Sequence, residues 1–207
     1  MPIPTKNEAR AILGPYHGLI WQIVHEAWAE WRTVQRLRVK HKMSPLLYPR
    51  TIANYVFDAV ARRAIPAFGA EPRVTVKIEA QTFKIFVRGL LAARFKQGGD
   101  DKLGRNILTQ SAMAFMDANG VLPGMPSETA KVEIIWLPNE IRTQIEALLV
   151  IARDGDQLVW EYEIEDPRES AKTIPMPMRP IEPPEPEAGD LVKPKATPTP
   201  KPKKRSD

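Results

Sequence analysis

The chain has no cysteine. Disulfides, thiolate metal sites, cysteine nucleophiles and thiol switches are therefore excluded, and nothing calls for an oxidising compartment. No apolar run approaches the roughly 20 residues that cross a bilayer as a helix. Residues 1–14 lack both a charged stretch leading into an apolar core and a small-residue cleavage site, so the expectation is a cytoplasmic protein with no membrane partner. Histidine is scarce, at three residues. His25-Glu26 opens like a zinc-protease helix motif, but Ala29 stands where the second histidine must share the metal. His17 and His41 are isolated, each without a carboxylate-plus-nucleophile arrangement nearby in sequence, which leaves open only a triad assembled in space. No glycine-rich loop ends in Gly-Lys-Ser/Thr, which removes the usual phosphate cradle. No cofactor, metal or catalytic residue is expected, and an enzyme is the less favoured reading.

With 43 % hydrophobic residues the 207-residue chain has enough apolar side chains for one sizeable core. From Tyr16 to Lys42, Ile20, Val24, Ala27, Trp31 and Val34 recur at three- and four-residue steps, the stripe of an amphipathic helix. Ser44-Pro45 and Tyr48-Pro49 end it, and Thr51 is the expected cap of a second helix carrying Ile52, Tyr55, Val56, Ala59, Val60 and Ala64 up to Pro66.

After Pro72 the period drops to two. Val74, Val76 and Ile78, then Phe83, Ile85 and Val87, read as a hairpin turning at Ala80-Gln81, with Leu90 to Lys96 as a third strand set off by Gly89. Val132 to Trp136, Ile145 to Ile151 and Leu158 to Ile164 read as three more, the last two joined through Asp154-Gly155. A helix over Asn139 to Ile151 competes with the middle one, and the hairpin turn that follows favours the strand. The fold class expected is α+β: two N-terminal helices packed on an antiparallel sheet of about six strands, over residues 1–165. Residues 166–207, crowded with proline and poor in apolar side chains, are expected to be a disordered tail whose end is basic.

Three features bear on function. The net charge of +5 is concentrated: Arg32, Arg36 and Lys40 fall at i, i+4 and i+8 on the first helix, Arg62-Arg63 lie on the second, and Lys201, Lys203, Lys204 and Arg205 close the tail. These are candidate phosphate contacts, against the alternative of solvated faces. Asp100-Asp101-Lys102 could assist metal-dependent phosphoryl chemistry or be only a solvated turn. Finally, Gln110, Met113 and Phe115 reproduce the pattern Gln-x-x-(Leu/Met)-x-Phe. That pattern resembles the peptide that docks in the pocket of the bacterial DNA polymerase sliding clamp, where a glutamine bonds at the rim and Met and Phe fill apolar subsites. The competing reading is a short helix, Leu108 to Ala118, burying Ala112, Phe115 and Met116; an exposed Phe115 favours docking.

Arg105-Asn106, Thr109-Gln110, Ala114-Phe115, Leu122-Pro123-Gly124 and Leu158 to Tyr162 resemble uncharacterised bacterial proteins encoded beside ImmA/IrrE-type metallopeptidase regulators. The docking residues and the chain's size also resemble the SocB-type toxin, which halts replication on the sliding clamp. That resemblance implies a non-enzymatic interaction protein of bacterial DNA metabolism with the clamp as partner, acting through Gln110, Met113 and Phe115. The alternative is a nucleic-acid-binding regulator or one member of a two-gene toxin-antitoxin-like module, acting through the basic residues.

Overall fold

The computed structural model describes residues 3–105, 109–117, 119–122, 124–126 and 128–170. Of the tail expected over residues 166–207, residues 166–170 are described, with Pro167–Ser170 in a single helical turn rather than disordered, and residues 171–207, with Lys201, Lys203, Lys204 and Arg205, lie outside the described residues. Helices α1 (Lys6–Leu13), α2 (His17–Lys40) and α3 (Pro49–Gly69) come first. Strands β1 (Val74–Glu79), β2 (Thr82–Val87) and β3 (Leu91–Gln97) follow, then helix α4 (Gln110–Met116). Strands β4 (Ala130–Pro138), β5 (Ile145–Asp154) and β6 (Gln157–Glu163) and the single-turn helix α5 (Pro167–Ser170) complete the described chain. The fold is α+β, as the periodicities predict.

Two helical boundaries differ from expectation. Helix α1 was not anticipated, although Thr5 and Glu8 form a capping box: Thr5 N donates to Glu8 Oε2 at 2.8 Å and Glu8 N to Thr5 Oγ1 at 3.3 Å. Helix α3 starts at Pro49 rather than being capped by Thr51, because proline has the helical φ and no N–H to leave unsatisfied at the first position. It also runs through Pro66. Phe68, fully buried against Tyr16 and Phe95, and the bond from Ala70 N to Pro66 O hold that last turn despite the missing donor.

The six strands lie side by side in chain order. All neighbours are antiparallel except β3 and β4, which run parallel in the register Leu91↔Ala130 to Gln97↔Trp136. The wholly antiparallel sheet is thus corrected to a mixed one. A parallel pair needs a long crossover, and residues 98–129 supply it. Residues 145–154 form a strand, against the helical competitor.

Alternation along the strands divides the sheet into two unlike faces. Phe83, Ile85, Val87, Leu91, Ala93, Phe95, Val132, Ile134, Trp136, Leu148 and Val150 join the buried residues of α1, α2 and α3 in one apolar core. Each large side chain buried there contributes about 1.5–3 kcal/mol. The other face is covered by the crossover: Phe115 and Leu122 pack on Phe86 and Ala92, and Leu103 on Ile135, Leu149 and Ile151. Between these small clusters lies charge. Arg94 Nε donates to Glu133 Oε1 at 2.9 Å, and its Nη2 bonds the same oxygen. Glu133 Oε2 accepts from Gly104 N at 3.2 Å and faces Arg153 Nη1 at 3.6 Å. All three side chains are buried.

Candidate nucleic-acid interface

Helices α2 and α3 form an antiparallel pair joined by residues 41–48. Its two ends carry opposite electrostatic arrangements. At the end near Glu30, charge is neutralised: Arg62 Nη2 lies 2.8 Å from Glu30 Oε1, Arg63 Nη2 lies 2.8 Å from Glu30 Oε2, and Arg62 Nε lies 3.1 Å from Asp58. Tyr55 adds a hydrogen bond to Glu30 at 2.8 Å. Bonds from Arg62, Arg63 and Tyr55 hold the Glu30 carboxyl down at about 2. The suggestion that Arg62 and Arg63 are free for phosphate is therefore corrected; carboxylates occupy both.

The other end is a tip of opposite character. From Trp31 to Phe57 the sequence holds six cations, Arg32, Arg36, Arg38, Lys40, Lys42 and Arg50, and no Asp or Glu. None of the six makes an ion pair among the described residues; all the pairs of α2 and α3 involve Arg62 or Arg63. Arg36 and Lys40 are exposed on α2 one turn apart, as their spacing predicts. Arg32 is half-buried and tied to the β4–β5 loop, donating to the Arg142 carbonyl at 3.2 Å. Arg38 folds back to the Ser44 carbonyl at 2.6 Å and shapes the turn. Helix α3 opens on Tyr48 with no side-chain cap and no acid in its first turn, so its positive end adds to the local potential.

Sequence reasoning missed the apolar half of this tip. Leu37, Val39, Met43, Leu47 and Tyr48 are all exposed, with Leu47 at 82 % and Val39 at 69 %. Periodicity assigns such residues to a core, and only the structure shows that they stay uncovered here. Leu46 is the exception: it turns inward and packs against the core, anchoring the loop.

The other candidates are placed as follows. Helix α4 spans the proposed docking motif, and Gln110 is exposed and Met113 47 % exposed. Phe115 is buried at 2 %, with the Arg94 guanidinium 4.2 Å from its ring centroid and Phe86, Ala92 and Leu122 around it. The exposure that docking requires of Phe115 is absent, because a helical turn points it at the sheet. Ser111 ties the start of α4 to the sheet through Lys84 at 3.3 Å and Glu79 at 3.2 Å. At its other end Lys131 Nζ donates to the carbonyls of Ala114, Asp117 and Gly120, a cation at the helix's negative pole.

Asp101 accepts from Leu103 N at 3.1 Å as a turn cap, and Lys102 is paired with Glu161. Asp101 also lines a cavity of about 160 Å³ with Leu103, Gly104, Arg105, Met116, Arg153 and Asp156. There Arg153 is taken up by Gly155 O at 2.6 Å and Asp156 at 3.0 Å. Among the described residues no group of three or more His, Asp or Glu could hold a metal ion, and no helix is long and apolar enough to cross a membrane. No protein-family model, curated protein or solved structure matches the chain.

Proposed function

We propose that the chain is a non-enzymatic nucleic-acid-binding protein whose contact surface is the tip of the α2–α3 pair. The observation that carries this reading is the six-cation, carboxylate-free segment with no ion pair, beside an end of the same helices where every arginine is paired. Cations needed only for solubility gain by pairing with nearby acids, whereas cations that meet phosphates must stay unpaired until the ligand arrives.

Binding of a labelled oligonucleotide by the full chain, titrated against salt, tests it. Affinity is expected to fall steeply with salt, by a slope of about 0.7 per single-strand phosphate neutralised. The triple variant Arg36→Gln/Lys40→Gln/Lys42→Gln is expected to reduce that slope by about 2. A variant that binds as tightly as the native chain, with the same slope, removes the tip from the contact surface.

Docking on the sliding clamp is the second reading, supported by the exposure of Gln110 and Met113 on α4. It requires α4 to lift so that Phe115 leaves its place under Arg94. A clamp pull-down with the native chain and with Gln110→Ala/Met113→Ala, two exposed positions, with the variant's thermal midpoint checked against the native one, decides it. Capture lost only in the variant supports docking, and no capture by the native chain ends that reading.

A further inference from the structure

The tip's cations call for a polyanion, but phosphates alone leave half of the surface without a partner. Large apolar side chains lie among the charges: Leu37 between Arg36 and Arg38, Val39 before Lys40, Met43 after Lys42, and Leu47 and Tyr48 ahead of Arg50. A duplex presents phosphate ridges and base edges, and it is read by hydrogen-bonding side chains in a groove. The flat, apolar faces of its bases are stacked inside. In a single strand those faces are open and can be covered by aromatic rings and guanidinium planes while cations track the backbone.

Tyr48 has the required form. The residue is 58 % exposed, and the Arg50 guanidinium lies 5.1 Å from its ring centroid, so two planar groups sit together at the head of α3. Pro49 fixes the backbone between them, and Leu46 holds the approach to the core, so the platform exists before any ligand binds. Resting on the nucleic-acid reading above, we infer that the ligand is single-stranded. Tyr48 and Arg50 stack on its bases, the neighbouring aliphatic side chains cover them, and Arg36, Lys40 and Lys42 meet its phosphates.

The test is fluorescence anisotropy of the full chain with a labelled oligothymidylate and with a mixed-sequence duplex of equal length, at moderate salt. The lysines near the C-terminus add to both, so the readouts are the preference and its dependence on Tyr48. The single strand is expected to bind at least about tenfold tighter, and Tyr48→Ala to weaken it about tenfold with the duplex unmoved. Tyr48→Phe is expected to retain the native affinity, and Arg50→Gln to lie between. Unchanged thermal midpoints in all three variants exclude unfolding as the cause. Equal or tighter duplex binding overturns the inference and leaves the nucleic-acid reading standing, as does single-strand affinity unmoved by both Tyr48→Ala and Arg50→Gln. Failure of the native chain to bind either oligonucleotide overturns both.

Discussion

The two faces of the sheet are covered by different means, and they bear damage differently. On the helical side the contacts are apolar and non-directional, so a lost methylene removes a small, local amount of stability. On the crossover side, Glu133 compensates two buried arginines at once, and each side chain there is held by bonds with fixed geometry. A buried charge stripped of its partner cannot relax into a smaller loss, because the remaining ion must stay desolvated or unfold the cover.

The sharpest way to break this comparison is Glu133→Gln. Arg94 then lies buried without the carboxylate it bonds, while Arg153 keeps only the exposed Asp156, and a loss of about 3–5 kcal/mol is expected in urea unfolding. Phe115→Ala follows at about 3 kcal/mol, since it removes the ring under Arg94 and loosens α4, which limited proteolysis between residues 98 and 129 will detect. On the opposite face Ile134→Val, one residue from Glu133, is expected to cost only about 0.5–1.5 kcal/mol. A cost for Glu133→Gln below that of Ile134→Val abolishes the distinction.

Two smaller effects sharpen it at the helices. His17 accepts or donates a 3.1 Å bond with Tyr162 Oη, and burial, reinforced by Arg10, pushes its pKa below the ordinary 6.5. A depressed histidine pKa means that the unfolded chain binds the proton more readily. Stability is therefore expected to fall as pH drops below 6.5, and His17→Gln to flatten that slope in thermal scans at graded pH. Glu30, held down at about 2, has the carboxylate sign: its contribution is full above about 4.5 and is lost as pH falls through 2. Because this network is partly exposed, Glu30→Gln is expected to cost no more than about 1 kcal/mol at neutral pH, and to have no effect below about pH 2.

Much of this architecture was legible in the residue pattern, and what was missed has identifiable causes. Helices α2 and α3 and all six strands follow from spacing, because a buried stripe must repeat with the period of its element. Strand direction has no such signature: β3 and β4 alternate alike whether parallel or antiparallel. The one signal available was the length of the 98–129 connection, far beyond a hairpin loop. Arg94, Glu133 and Arg153 occupy the polar positions of alternating strands, which ordinarily face water, and only the crossover lying over them makes them a buried cluster. At the tip, Arg36 and Lys40 could be read from charge, whereas Tyr48 and Leu47 could not, since nothing in a local pattern says that an apolar residue stays uncovered.

The lone parallel pairing also bears on the order in which the sheet is expected to assemble. Strands β1, β2 and β3 join through short loops, as do β4, β5 and β6, so each half of the sheet can assemble from neighbours in the chain. The middle pairing must wait for the 98–129 loop to close, an entropic delay that grows with loop length. Helix α3 packs on β1, β2 and β3, while α1 and α2 rest on β6 and β5. The bond network of Glu30 with Arg62 and Arg63, which ties α2 to α3, therefore also ties one half-sheet to the other. The late step of folding is therefore expected at the centre of the sheet, and a chain cut within residues 98–129 is expected to reassemble from two fragments along that line.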